Sequence, residues 1–419
     1  MIRKALRNRS GRAALGTMAG IVLTAAGISL SGPFMAGRIQ AEEIVTDTGA
    51  DQEEYAAGGE LDEWMENSLP PQIDGLEYQS EMELDFARCF RVYYYTDGYA
   101  VADIYGGDRF LVVPEDMPVP DGLDENIKVL QKPLNRVYLA ATSAMSLYDA
   151  LDALDYIDMS GTDASGWYVE NAARALEEGD ILFAGKYSEP DYELLLEEEC
   201  SLALESTMIY HVPKVKEMIE DLGVPVLVEH SSYETHPLGR TEWIKLYGLL
   251  TDKEEEARDY FDSQKEMVAA LDDFPNTEKT VAYFYVSQDG RVVVRAASDY
   301  VAQMIELAGG RYIFADLVDS ESKMSSVNMT MEDFYHTAVE ADYLVYNAAI
   351  DNALTSMDEL LAKSELFADF KAVSEGNVWC SGKALYQSTA RLGNAIQDFH
   401  YMLTDGDESQ MTFFTKISE

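Results

Sequence analysis

Between Ser231 and Asp273 the chain reads SSYETHPLGRTEWIKLYGLLTDKEEEARDYFDSQKEMVAALDD, and no other stretch constrains the fold as much. Thr251 and Glu254 have the capping-box spacing, and Glu255 and Glu256 add negative charge where the helix dipole is positive. Apolar residues recur at Ala257, Tyr260, Phe261, Met267, Val268 and Leu271 with a 3.6-residue period that stops shortly before Pro275. The pattern predicts one uninterrupted helix over 251–274. Roughly 20 helical residues rise about 30 Å, the width of a small domain. With α/β patterns on both sides, such a rod is expected to join two lobes that hold a ligand between them. An amphipathic helix inside one domain is the alternative.

A chain of 419 residues, 47% hydrophobic, can form two or more cores. Its 31 basic and 76 acidic residues leave a net charge of −45, and no basic cluster in the body could gather phosphates, which argues against nucleic acid and anionic membranes as partners. Arg3, Lys4, Arg7, Arg9 and Arg12 precede an apolar run from Ala13 to Leu30, the pattern of an export signal over 1–41 with cleavage near Gln40 and Ala41. An uncleaved anchor is the alternative. No Leu-x-x-Cys lipidation site follows the run, so export to the cell envelope or outside the cell is expected without an acyl anchor. Cys89, Cys200 and Cys380 are widely separated and form neither a metal spacing nor a disulfide framework.

Residues 42–84 are acidic and dotted with Gly and Asp, and read as a flexible tether. Phe90 to Val113 alternates aromatic and β-branched residues around Asp97-Gly98 and Gly106-Gly107, which predicts a hairpin or three-stranded meander. After Pro133, short apolar strands alternate with helices: RVYLAA, SAMSLYDALDAL, DILFAG, a helix near Tyr192–Glu199, then VPVLVEH. The alternation resumes beyond the rod with VAYFYVS, DYVAQMIELAGG, DYLVYN and a closing helix over 390–403. The expected fold class is therefore α/β. Two lobes with mainly parallel sheets (85–250, including the N-terminal hairpin, and 275–419) flank the rod helix.

In open α/β sheets, ligands bind beyond the carboxyl ends of the strands. In the first lobe this selects Thr142, Ser143, Met145, Trp167, Lys186, Tyr187, Glu205, Ser206, Ser231, Ser232, Tyr233 and His236. In the second it selects Arg295, Tyr300, Asn347, Lys383 and Tyr386. Aromatic faces with a few polar or cationic groups suit a bulky, partly flat ligand. His230 and His236 raise a free zinc or manganese site as an alternative, although three or four converging ligands would be needed; His236, just before Pro237, is expected to fix its loop. Ser231 and His236 raise an extracellular hydrolase, yet no Gly-x-Ser-x-Gly elbow, P-loop or dinucleotide loop is present. No catalytic residue and no resident cofactor are expected.

PDYELLLEEECSLALES, PLGRTEWIKLYGLL followed by EEEARDYF, and GNVWCSGKALYQSTARLGNAIQDF resemble the extracellular substrate-binding proteins of ABC importers for iron chelates, haem and cobalamin. The resemblance runs from about Asn135 to Leu403. It implies two α/β lobes on one long helix, a monomer, an ABC permease as partner, and a metal chelate as ligand: a ferric siderophore first, then cobalamin or haem. Rings of Trp167, Tyr187, Tyr233 or Tyr386 would stack on that ligand, with Arg295 or Arg391 facing its acidic groups. It also implies one permease-docking glutamate per lobe: Glu193 in the Pro190–Glu193 pattern, and Glu332 at the corresponding helix start. This sequence departs from the family at Cys200-Ser201, where Pro-Asp is usual, and in lacking the lipidated cysteine common in Gram-positive members.

Overall fold

A computed structural model describes residues 58–317, 325–349 and 351–418, all within one compact unit. The export signal read over 1–41 lies outside the described residues. The tether read over 42–84 does not hold from residue 58 onward, because a helix at Gly58–Asn67 and strand β1 at Tyr78–Glu81 occupy it. Leu61 is buried, Trp64 and Met65 pack on the same core, and Trp64 meets Tyr105 edge-on at 5.7 Å. Three apolar residues at i, i+3 and i+4 suffice to dock one face of an otherwise acidic helix.

β1 pairs with β2 (Phe90–Tyr95), and β2, β3 (Ala100–Ile104) and β4 (Arg109–Val113) form the antiparallel meander expected from the turn dipeptides. At the first turn Asp97 (φ 59°) and Gly98 (φ 80°) are both left-handed, as a tight hairpin requires. β5 (Ile127–Gln131) adds parallel to β4, so the accessory sheet has five strands rather than the two or three expected. Its two faces are both covered, one by the main core and one by Ile73, Leu76, Met117 and Leu123.

The first lobe contains β6 (Val137–Leu139), β7 (Ile157–Ser160), β8 (Leu182–Phe183), a small hairpin of β9 (Gly185–Lys186) and β10 (Glu189–Pro190), β11 (Leu202–Ser206) and β12 (Val226–Glu229). Its sheet runs β12-β11-β6-β7-β8 with every neighbour parallel. Such strands are buried on both faces, which explains their continuous apolar runs. The second lobe has β13 (Thr280–Val286), β14 (Val292–Arg295), β15 (Arg311–Tyr312), β16 (Ser326–Met329), β17 (Tyr343–Tyr346), β18 (Val378–Ser381) and β19 (Phe414–Lys416). They run β16-β14-β13-β17-β18-β19, with β15 beside β13. β13, β15, β17 and β18 are parallel; β14 and β19 pair antiparallel at the flanks.

Three helices link the lobes: Pro237–Glu242, Ile244–Thr251 and the spacer Glu254–Ala269. The spacer is unbroken but shorter than the 251–274 expected, and the capping box is not formed. Thr251 instead closes the preceding helix, donating its hydroxyl to the Tyr247 carbonyl at 2.8 Å, and Asp252 turns left-handed at φ 59°. Ala257, Phe261, Gln264 and Val268 form the buried stripe. The closing helix Leu392–Leu403 crosses this stripe at Gly393, where a Cβ would sit 2.7 Å from Gln264 Oε1 and 3.0 Å from its carbonyl oxygen. One apolar core therefore runs from the first lobe through the spacer into the second.

Candidate ligand site between the lobes

The chain leaves β6 through Ala140 and Ala141 into the helix Thr142–Ala150, placing Thr142 and Ser143 half-buried at its N-terminus. Ser143 Oγ donates to Glu229 Oε1 at 2.9 Å, and the Ser231 hydroxyl donates to the same oxygen. Glu229 ends β12; burial pushes its carboxyl up, and the two serine bonds pull it back. Ser232 is buried and its carbonyl accepts from Arg240 Nη2 at 2.6 Å, while the Arg240 guanidinium lies 3.8 Å from the centre of the Tyr300 ring. A cation thus joins the first lobe to the second at the floor between them.

Trp167 and Tyr168 divide a role that the strand-end rule assigns, in this loop, to Trp167. The Trp167 ring is 5% exposed, and its Nε1 is occupied by Ser160 Oγ and the Thr162 carbonyl, each at 3.1 Å. The neighbouring Tyr168, 41% exposed, reaches the other lobe and meets Tyr386 edge-on at 6.1 Å. Tyr386 Oη accepts from Gln387 Nε2 at 2.9 Å. Adjacent aromatics differ here because Asp163 caps a short turn over 164–166 that folds the indole inward. Sequence reasoning also missed Gln387, which carries no charge or ring to single it out.

Tyr233 stacks on His230 at 5.1 Å, and Tyr210 Oη lies 3.2 Å from His230 Nε2. Burial holds the His230 imidazolium down to about 4, so the ring is neutral near pH 7. His236 Nδ1 accepts from Leu238 N–H at 3.2 Å and its ring stacks on Phe86 at 4.3 Å. It caps the helix that follows, the loop-fixing role expected of it. The two histidines do not converge, and among the described residues no group of three or more His, Cys, Asp or Glu could hold a metal ion. The hydrolase arrangement fails on the same geometry, since Ser231 bonds Glu229 and His236 bonds its own helix.

Tyr187 is half-buried in the turn between β9 and β10. Arg295 is buried at the end of β14, with its carbonyl accepting from Tyr312 Oη at 2.7 Å. Glu205 is fully buried on β11, both carboxyl oxygens lacking a hydrogen-bond partner, and burial pushes its carboxyl far up. Arg391 is exposed against Phe413 and Thr412 at the start of the closing helix. The residues brought together between the lobes are thus Arg240 with Tyr300, and Tyr168 with Tyr386 and Gln387. Glu193 and Glu332 are both exposed in the first turn of their helices, behind the N-caps Asp191 and Thr330. Cys89, Cys200 and Cys380 are all free thiols. Among the described residues no helix is long and apolar enough to cross a membrane.

The periplasmic binding protein family profile matches residues 149–383. An uncharacterized lipoprotein of Methanocaldococcus jannaschii is 26% identical over 333 residues, covering 73% of this chain and 77% of its own length. A second uncharacterized lipoprotein of that organism is 22% identical over 347 residues, covering 79% and 86%. These names lend no support to the expectation of export without an acyl anchor. Among solved structures, the periplasmic haem-binding protein of Vibrio cholerae superposes with a TM-score of 0.52 at 17% identity, covering 64% of this chain and 97% of its own. A periplasmic haem-binding protein from Pseudomonas aeruginosa gives 0.51 at 15% identity, covering 68% and 99%. At these identities the structures establish the fold, two α/β lobes on a helical spacer. The chain belongs to the periplasmic binding protein family, whose members bind small molecules for ABC permeases and are not enzymes.

Proposed function

We propose that this protein is the exported receptor of an ABC importer and captures a metal chelate between its lobes, a ferric siderophore before cobalamin or haem. The observation that carries this reading is that two α/β lobes meet at two points, Tyr168 against Tyr386 and Arg240 over Tyr300, which supply rings for a flat or bulky ligand and a buried cation for its acidic groups. Titration of intrinsic fluorescence with ferric hydroxamates, ferric catecholates, cobalamin and haem is expected to show quenching by one class at micromolar concentration. Silence across the panel would remove the cargo class. Metal analysis of the purified protein covers free zinc or manganese, which the separation of His230 from His236 disfavours.

Docking on the permease is assigned to Glu193 and Glu332, one exposed carboxylate per lobe. The double charge reversal Glu193→Arg, Glu332→Arg is expected to abolish uptake by cells while leaving ligand affinity within about twofold, because surface carboxylates contribute little to the fold. Loss of ligand binding in the purified double variant would contradict this division of labour.

A further inference from the structure

Gln387 spans the two lobes with one side chain. Its Oε1 accepts from the Tyr168 backbone N–H at 2.7 Å, and its Nε2 donates to the Gly166 carbonyl at 2.9 Å, both in the first lobe. The same Nε2 donates to Tyr386 Oη at 2.9 Å, and Tyr386 packs edge-on against Tyr168. Gln387 is 1% exposed. Two more contacts follow along the same segment. Thr241 Oγ1 donates to the Thr389 carbonyl at 2.8 Å, and Ala390 N–H donates to Ser146 Oγ at 3.2 Å. Thr241 belongs to the linking helix Pro237–Glu242, and Ser146 to the first-lobe helix Thr142–Ala150. Residues 389–390 are thus held against helices of the lobe junction, whereas Gln387 grips the loop 164–168, which joins β7 to the next helix and leaves Tyr168 partly in solvent.

We propose that Gln387 is an inter-lobe latch: it holds the loop 164–168 against the second lobe and sets how fast ligand enters and leaves. A side-chain amide suits this task because donor and acceptor sit at one end of a short stem and copy the two groups of a peptide unit. It can therefore pair with a neighbouring backbone as a strand would. When the lobes part, water replaces both bonds, so the latch is reversible and each bond shifts the balance only modestly. Glutamate in its place would keep the acceptor for Tyr168 N–H and lose the donor to Gly166. The effect on ligand exchange rests on the receptor reading above; the effect on the loop does not.

Hydrogen exchange of the ligand-free protein tests the latch directly. In Gln387→Ala, exchange of the segment containing Tyr168 is expected to rise about tenfold, with Gln387→Glu intermediate and the core strands β11 and β13 unchanged. Unchanged exchange at Tyr168 in Gln387→Ala would overturn the proposal, and so would faster exchange spread evenly over the core. The second arm uses whichever of ferric hydroxamate, ferric catecholate, cobalamin or haem quenches the wild-type protein, and measures its dissociation by stopped flow. The rate is expected to rise about tenfold in Gln387→Ala; an unchanged rate would sink the link to ligand exchange. If no chelate binds the wild type, the receptor reading fails, and the exchange arm still decides the latch.

Discussion

Glu242→Ala is expected to destabilise the protein by about 3–5 kcal/mol, the range for removing one partner from a buried, hydrogen-bonded ion pair. Glu242 is fully buried on the short helix Pro237–Glu242, yet its carboxylate is saturated with donors. Oε1 accepts from Asp85 N–H at 2.8 Å, and Oε2 accepts from Phe86 N–H at 2.7 Å and Ala87 N–H at 2.8 Å. Lys245 Nζ adds an ion pair at 2.7 Å and donates to the Glu83 carbonyl at 2.9 Å. The next two amides continue the series, since Arg88 N–H and Cys89 N–H donate to Glu234 Oε1 at 2.9 and 2.8 Å. Five successive backbone amides are thus received by two carboxylates rooted beside the spacer, which fastens the accessory sheet to the junction of the lobes. Alanine at 242 would leave three of these amides and the Lys245 ammonium without their acceptor. Urea unfolding followed by tryptophan fluorescence measures the cost. Glu242→Gln should lose less, because one oxygen acceptor survives, and a loss under about 1 kcal/mol in Glu242→Ala would show that water substitutes for the carboxylate.

This clamp was not legible in the sequence, for a physical reason. Glu234 just before and Glu242 at the end of a short helix read as carboxylates on a solvated face, and what buries them is a segment 145–157 residues earlier in the chain. The parallel strands could be read because burial on both faces leaves them as unbroken apolar runs, as in VPVLVEH and DYLVYN. The spacer was visible by its period, while its start was misplaced. Thr251 and Glu254 satisfy the capping pattern, but the left-handed turn at Asp252 ends one helix before the other begins. β1 and β5 escaped notice because β1 is largely exposed and β5 only half-buried, so neither shows an apolar run. Between the lobes, the rotation of each strand-end loop, which sequence cannot give, decides which of its residues faces the other lobe. Trp167 turned inward, and Tyr168 and Gln387 took the contact.

Stability is expected to fall as pH rises above about 4.5, and Glu205→Leu should remove one proton's share of that fall. Burial holds the folded-state Glu205 carboxyl well above its ordinary 4.5, with no donor on either oxygen to favour ionisation. The folded state therefore keeps a proton that the unfolded chain releases, and the stability present below 4.5 is lost as pH climbs toward the raised value. Each such group removes about 1.4 kcal/mol per pH unit while the two states differ by one proton. Glu234 acts in the same direction from 4.5 up to about 7, where burial places it against the pull of the Cys89, Arg88 and Trp243 N–H donors. Leucine at 205 has no proton to retain and adds apolar contact within the cluster of Tyr138, Ala203 and Val228. Its advantage over wild type should therefore grow by about 1.4 kcal/mol per unit above pH 4.5. Urea midpoints at pH 4.5, 6 and 7.5 give the slopes, and parallel wild-type and variant slopes would show that Glu205 is ionised in the fold and solvated. The same variant decides the residue's place in the site: retained chelate affinity assigns the carboxyl to the core, and lost affinity with unchanged slope assigns it to the ligand.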